Sequence, residues 1–446
     1  MRFAASVFFA LLLTAVGLMV VPSAAAQETS VDDAAGALTA PLPDSTAAGV
    51  GAPGEAGIDM PAYPMDPERK AKLISYSRFV NIWRFVSFFI TVGVLVLILF
   101  TGLSARLRTW AQRIIKQPFL ALWVFLILFL LVDFLLNLPF DIYRGFLVES
   151  DYGFMNQTFG GWFGEKALGL LVSAVIVIVP VWLLYWAINR YRQWWLVFTI
   201  GAIPIAVLLI VIVPVVISPL FNDFVPIQDQ ELGGKLTGLA ESVGIHDADV
   251  FQVNASKQSS KINAYVTGLF GSKRIVLYDT MIKGFTDEEI LFVMGHEMGH
   301  YVKNHIFLGL GVAILFVGFM LWVANRTIQL FINRFHRRLG FDRVGDMASL
   351  PLIILFVTVL EFAFQPITNG YSRYQENVCD RYGIDITGVD GETAARAFDK
   401  LAVFNLSDPS PSPLIEFWFY DHPALEKRMA FVREYAAGRN LQATAQ

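Results

Sequence analysis

Six long apolar runs alternate with polar stretches along the chain. They lie near residues 82–103, 118–137, 167–188, 195–217, 306–325 and 350–369. About 20 apolar residues in helical form cross the hydrocarbon core of a bilayer, so each run predicts a membrane-spanning helix. Residues 67–220 then form a bundle with four spans, and 306–370 a hairpin of two. Two stretches of mixed polarity remain, 221–305 and 371–446. The fifth span crosses away from the first stretch and the sixth returns, so both stretches emerge on one face and can build a single domain.

Inside those stretches the periods change. Residues 231–243 repeat at helical spacing and stop at Gly244. Residues 249–254, 262–267 and 273–278 alternate Val, Ile and Tyr with polar positions, and Gly268 and Gly271 punctuate the last two. That predicts a small sheet with a hairpin. Thr286 followed by Glu289 makes a capping box, which opens a helix expected to run on into the fifth span. The amino-terminal residues differ again. Arg2, an apolar stretch to residue 21 and the small residues Ser23-Ala24-Ala25-Ala26 resemble a secretory signal peptide over 1–26, with an uncleaved first membrane helix as the alternative. Residues 27–66, rich in Ala, Gly, Pro, Asp and Thr, predict a flexible linker.

Composition supports the membrane assignment. Of 446 residues 55% are hydrophobic and 16% charged, against about 25% charged in soluble domains. Mean hydropathy is +0.54, and a net charge of −4 with a pI near 5.9 gives no reason to expect nucleic acid. The single cysteine, Cys379, excludes an internal disulfide and predicts a small buried hydrophobe. Charge also orients the chain. Arg106, Arg108, Arg113, Lys116, Arg190, Arg192, Arg326, Arg334, Arg337, Arg338 and Arg343 all fall in loops on one face, while 138–166 on the other is more acidic. Short basic loops stay cytoplasmic, so both mixed stretches are expected outside.

The chemistry centres on Gly295-His296-Glu297-Met298-Gly299-His300-Tyr301. On a helix, His296 and His300 share a face and can offer both imidazoles to one zinc ion, with Glu297 placed to act as base on a water. A third ligand is required. Glu376 lies seven residues past the sixth span and His300 six before the fifth, so at about 1.5 Å per residue both reach similar heights above one membrane face. Asp380, four residues on, is then expected to accept a hydrogen bond from a ligating imidazole. Glu361, inside the sixth span beyond Pro366, is the competitor for the third position. His305 is expected to be structural or chamber-lining, and His246 and His336 to lie at the surface.

Together, His-Glu-x-x-His with Glu376 and Asp380 resembles the type I CAAX prenyl endopeptidases. The resemblance extends from about residue 67 onward. It includes Leu138-Pro139, Tyr143, Phe146, Glu149, Gly153-Phe154 and Gln157-Thr158, then Pro219-Leu220-Phe221-Asn222 with Phe224 and Pro226. Asn263-Ala264, Ser372-Arg373 and His422-Pro423 with Arg428 complete it. It implies a polytopic α-helical membrane protein, a helical chamber with a small α+β zinc peptidase domain of the gluzincin type. By position it implies His296, His300 and Glu376 as ligands of one Zn²⁺, Glu297 as base and His422 as donor to the substrate carbonyl. Asn263 and Ala264 would sit where substrate backbone docks, and Arg428 belongs to the carboxy-terminal motif. Two features depart from the family. A signal-like segment and linker stand where its first helix would be, and the basic loops place the active site on the outer face. A zinc endopeptidase of a bacterial inner membrane, facing the periplasm and cutting membrane-associated, lipid-linked or misfolded polypeptides, is therefore expected. The alternative is a zinc-containing transporter or binding protein without hydrolysis.

Overall fold

The computed structural model describes residues 67–268 and 273–444, so the signal-like segment, the linker and Gly271 lie outside the described residues. Among the described residues, six helices are long and apolar enough to cross a membrane. The first, α1 (Pro67–Phe100), begins well before its apolar run and ends where Gly102 takes φ +68°. The basic stretch that follows is not a loop. It forms an amphipathic helix, α2 (Leu103–Ile114), burying Ala105, Leu107 and Ala111, because its apolar residues recur at helical spacing too short to span.

The second span is α3 (Pro118–Ile142), prolonged by a π turn at Tyr143–Leu147 and a short helix at Val148–Asp151. Pro139 removes a donor from its last turns, and the ladder re-forms at wider spacing. The third and fourth spans are α4 (Phe159–Ile176) with α5 (Ile178–Arg190), and α6 (Trp194–Ile212) with a π turn at Val213–Ile217. Much of what the sequence presents as the loop 138–166 is thus helical. Its remaining turn docks on the following domain through the Met155–Ser259 bridge and the bond from Ser260 N–H to the Phe154 carbonyl.

That domain holds a four-stranded sheet, β1 (Phe224–Pro226), β2 (Asp249–Val253), β3 (Ala264–Thr267) and β4 (Arg274–Tyr278), in the order β1-β2-β4-β3. β2 and β4 run parallel, and the two outer pairs are antiparallel. The β3–β4 hairpin follows the sequence; β1 does not, since three residues ending in Pro226 carry no period of their own. β3 is an edge strand packed against the last of three helices that accompany the sheet. These are α7 (Gln230–Ser242), α8 (Asp279–Gly284) and α9 (Asp287–Val302).

The expected continuation of α9 into the fifth span is corrected. Asn304 adopts φ +58° and separates α9 from α10 (His305–Leu339). Asn tolerates this left-handed conformation, and the break lets α9 leave the direction of the span. The sixth span, α11 (Leu350–Thr387), instead stays helical out of the membrane segment to Gly388. After it come α12 (Gly391–Asn405), α13 (Pro413–Phe419) and α14 (Leu425–Thr444). One apolar core fills the bundle and a second fills the small domain, with Tyr301 packed against both.

Candidate active site

The capping box at α9 is present. Thr286 N–H donates to Glu289 Oε2 at 2.9 Å, and Glu289 N–H donates to Thr286 Oγ1. The fully buried Glu289 also pairs with Lys400 at 2.7 Å and Arg396 at 3.1 Å on α12. One side chain therefore starts the helix and fixes it to the carboxy-terminal segment.

α11 crosses α9 at very short range, and glycines permit it. A Cβ on Gly383 would stand 3.1 Å from His296 N and 3.2 Å from the Phe292 carbonyl, and one on Gly299 3.3 Å from Cys379 Sγ. This crossing brings together His296, His300 and Glu376. His296 Nε2 lies 3.2 Å from Glu376 Oε2, His300 Nε2 3.1 Å from Oε1, and the two Nε2 atoms 3.2 Å apart. Glu361 stays outside this cluster, about 22 Å down α11 at helical rise.

A layer of partners stands behind it. Asp380, with no exposed surface, accepts from His296 Nδ1 at 2.8 Å and from Arg428 at 2.6 and 2.9 Å. The guanidinium of Arg428 lies over the Phe398 ring, 4.2 Å from its centroid. His422 Nε2 approaches Glu376 Oε2 at 3.3 Å, and its Nδ1 donates to Asp421 at 2.8 Å. Glu297 is half-buried and its carboxylate has no hydrogen-bond or ion-pair partner among the described residues. Asn263 accepts from the N–H of Ala264 through its side chain and from the N–H of Tyr278 through its carbonyl. Both residues stand at the start of β3. His246 and His336 are exposed, and Cys379 is fully buried.

The field of the site demands positive charge. Burial opposes protonation of His296, but Glu376 and Asp380 outweigh it and push its pKa up to about 10. Burial likewise opposes the charge on His422, yet Glu376 and Asp421 raise it to about 9. Glu376 Oε2 is buried and forms no well-aligned hydrogen bond. Two imidazole nitrogens and a carboxylate, mutually within 4.8 Å with one oxygen unsatisfied, fit a zinc-type ion with one coordination position left open.

Comparison with known proteins bears on this directly. The sequence model of peptidase family M48 matches residues 226–436. That of the CAAX prenyl protease N-terminal region, described as five membrane helices, matches 62–223. A metalloprotease of Bacillus subtilis strain 168, YhfN, named as uncharacterised, is 36% identical over 83% of this chain and 86% of its own. The chain belongs to peptidase family M48. Within the same reach, CAAX prenyl protease 1 of Saccharomyces cerevisiae is 31% identical over 66% of this chain and 68% of its own. The crystal structure of S. mikatae Ste24p matches with a TM-score of 0.71 and 27% identity, covering 82% of this M48 chain and 89% of that one. The expected fold class holds: a helical membrane chamber with a small α+β peptidase domain.

Three features of the site escape sequence reasoning. Gly383 sets the approach of α11, Asp421 buttresses His422, and His305 stands 3.1 Å from His300. Only the Gly295-x-x-x-Gly299 spacing, a mark of close helix contact, hinted at the first.

Proposed function

We propose that this chain is a membrane-embedded zinc metalloendopeptidase. The observation that carries the proposal is the cluster of His296 and His300 from α9 with Glu376 from α11, its Glu376 oxygen unsatisfied, beside the unpaired Glu297 that α9 also presents. His296 Nε2, His300 Nε2 and Glu376 would hold one Zn²⁺, which supplies Lewis-acid activation when bound. Asp380 fixes the tautomer of His296 by taking its Nδ1 proton in a hydrogen bond, and Arg428 braces Asp380. Glu297 takes a proton from the attacking water and returns it to the leaving amine. His422, held by Asp421, donates to the oxyanion that develops on the scissile carbonyl. The free edge of β3, starting at Asn263 and Ala264, accepts the substrate as an added strand. A transporter would have no use for Glu297.

The substrates we propose are membrane-associated, lipid-linked or misfolded polypeptides, since α11 carries Glu376 straight out of its membrane span. The basic residues gathered at one end of the spans and the signal-like segment argue for a bacterial inner membrane with the site facing the periplasm. The yeast relative's name specifies a prenyl substrate, which the outer face of such a membrane does not offer. Glu297→Gln should keep the metal and lose peptide cleavage; cleavage at the parent rate would sink the mechanism. A reporter fused after Gln446 should read periplasmic, and a cytoplasmic signal would reverse the orientation.

A further inference from the structure

His300 has two ring nitrogens, and the peptidase site uses one. The other, Nδ1, faces His305 Nδ1 at 3.1 Å. That same His305 nitrogen lies 3.6 Å from Cys379 Sγ. All three donor atoms fall within 4.8 Å of one another. A tetrahedral zinc ion with bonds of about 2.0 Å to nitrogen and 2.3 Å to sulfur separates its ligands by about 3.3 Å (N to N) and 3.5 Å (N to S). The two spacings from His305 Nδ1, 3.1 Å and 3.6 Å, match this geometry. The three residues come from three elements: His300 from α9, His305 from the first position of α10, and Cys379 from α11 between Glu376 and Asp380. Cys379 is fully buried, and a buried thiol beside two imidazoles, deprotonated on binding, selects thiophilic ions such as zinc or cadmium.

We propose that His300 Nδ1, His305 Nδ1 and Cys379 Sγ form a second metal site, filled when zinc is in excess, which throttles the peptidase. The throttling rests on the proposed role of His300 at the first ion; the binding does not. Coordination releases the thiol proton and the proton shared between the imidazoles to solvent. His300 then serves two cations at once, one on each ring nitrogen. An imidazole shared between two cations gives less electron density to the first, which weakens that site's chemistry.

The test uses the full chain in detergent, stripped of metal and titrated with cadmium and, separately, with zinc. The parent should take two equivalents of cadmium, and the ultraviolet thiolate-to-cadmium charge-transfer band should grow with the second. Cys379→Ala should stop at one equivalent without the band, and His305→Ala should also lose the second equivalent. Excess zinc should inhibit the parent. Cys379→Ala, measured relative to its own activity at one equivalent, should need at least about tenfold more zinc, since even loss of an indirect partner costs metal sites 10–100-fold. A parent that saturates at one equivalent without a band, or equal zinc inhibition in Cys379→Ala, overturns the proposal. Failure of the peptidase reading would look different: no cleavage at one zinc equivalent, with the cadmium titration still interpretable.

Discussion

Two buried ionic clusters join distant parts of this chain, and they differ in how completely they are satisfied. At the seam between bundle and small domain, Glu149 Oε1 accepts from Tyr76 at 2.8 Å and from Arg144, while Oε2 pairs with Lys261 at 2.8 Å. Lys261 also reaches the Tyr76 hydroxyl. Both oxygens of this carboxylate are occupied, and two cations face one anion. In the α9–α11 cluster, Glu376 and Asp380 face a single guanidinium, and Glu376 Oε2 has nitrogens of His296, His422 and Arg428 at 3.2–3.3 Å but forms no well-aligned hydrogen bond. The imidazoles there absorb the imbalance by holding protons more tightly than usual. A closed network of buried charge welds elements together; an open one, with acceptor capacity left over, binds a cation. Buried charge alone therefore does not mark the functional site. An unsatisfied carboxylate oxygen beside two imidazoles that can share a cation with it does.

The contrast can be broken at either cluster. Glu376→Ala should abolish stoichiometric zinc binding and peptide cleavage, the largest effect expected here, while the metal-free protein melts close to the parent because Arg428 keeps Asp380. Unchanged metal content would move the third ligand elsewhere. Glu149→Gln should do the reverse. It leaves Arg144 and Lys261 without their anion, at a cost of about 3 kcal/mol, the low end for a broken buried pair, because both cations retain about a fifth of their side-chain exposure. Its folded fraction should bind zinc as tightly as the parent. A variant that melts like the parent but loses zinc would erase the distinction. Asp380→Asn is intermediate: it keeps the ligands and unsettles the tautomer of His296, so zinc affinity by chelator competition should fall about 10–100-fold. No change would mean that Arg428 and helix packing orient the ring unaided.

What the sequence disclosed follows the range of the interactions involved. His-Glu-x-x-His and the Thr286–Glu289 capping box are legible because helical periodicity and capping act within a turn. Glu376 is legible as a candidate from its place on the helix that leaves the sixth span, although the matching height of His300 fails as a reason, since α9 turns away from the fifth span at Asn304. β1 is not, since Phe224–Pro226 becomes a strand only by pairing with β2. The break at Asn304 is equally hidden: nothing in its neighbours demands φ +58°, which follows from where α10 must enter the membrane bundle. Asn263 and Arg428, read through the family resemblance, land in different settings. Asn263 begins the β3 edge, whereas Arg428 is buried against Asp380. Glu289 could be seen as a cap, but its pairing with Lys400 and Arg396 across more than a hundred residues could not.

Gly383 is the sharpest case of a functional residue without chemistry of its own. The Nε2 atoms of His296 and His300 lie 3.2 Å apart and each lies 3.1–3.2 Å from an oxygen of Glu376 only because α11 approaches α9 until backbone meets backbone. A methyl group on Gly383 would press on His296 N at 3.1 Å and the Phe292 carbonyl at 3.2 Å. Neither atom belongs to a flexible side chain, so the helices themselves must separate by a few tenths of an ångström. Gly383→Ala should therefore cost about 1–2 kcal/mol in a thermal melt, the range for overpacking, and should also weaken zinc binding by spreading the ligands. Gly438→Ala on α14 is the control. A Cβ there meets nothing within 4 Å, and replacing an exposed helical glycine should stabilise by about 0.5–1 kcal/mol. If Gly383→Ala melts lower but binds zinc with parental affinity, the crossing serves packing alone and the open cluster forms without it.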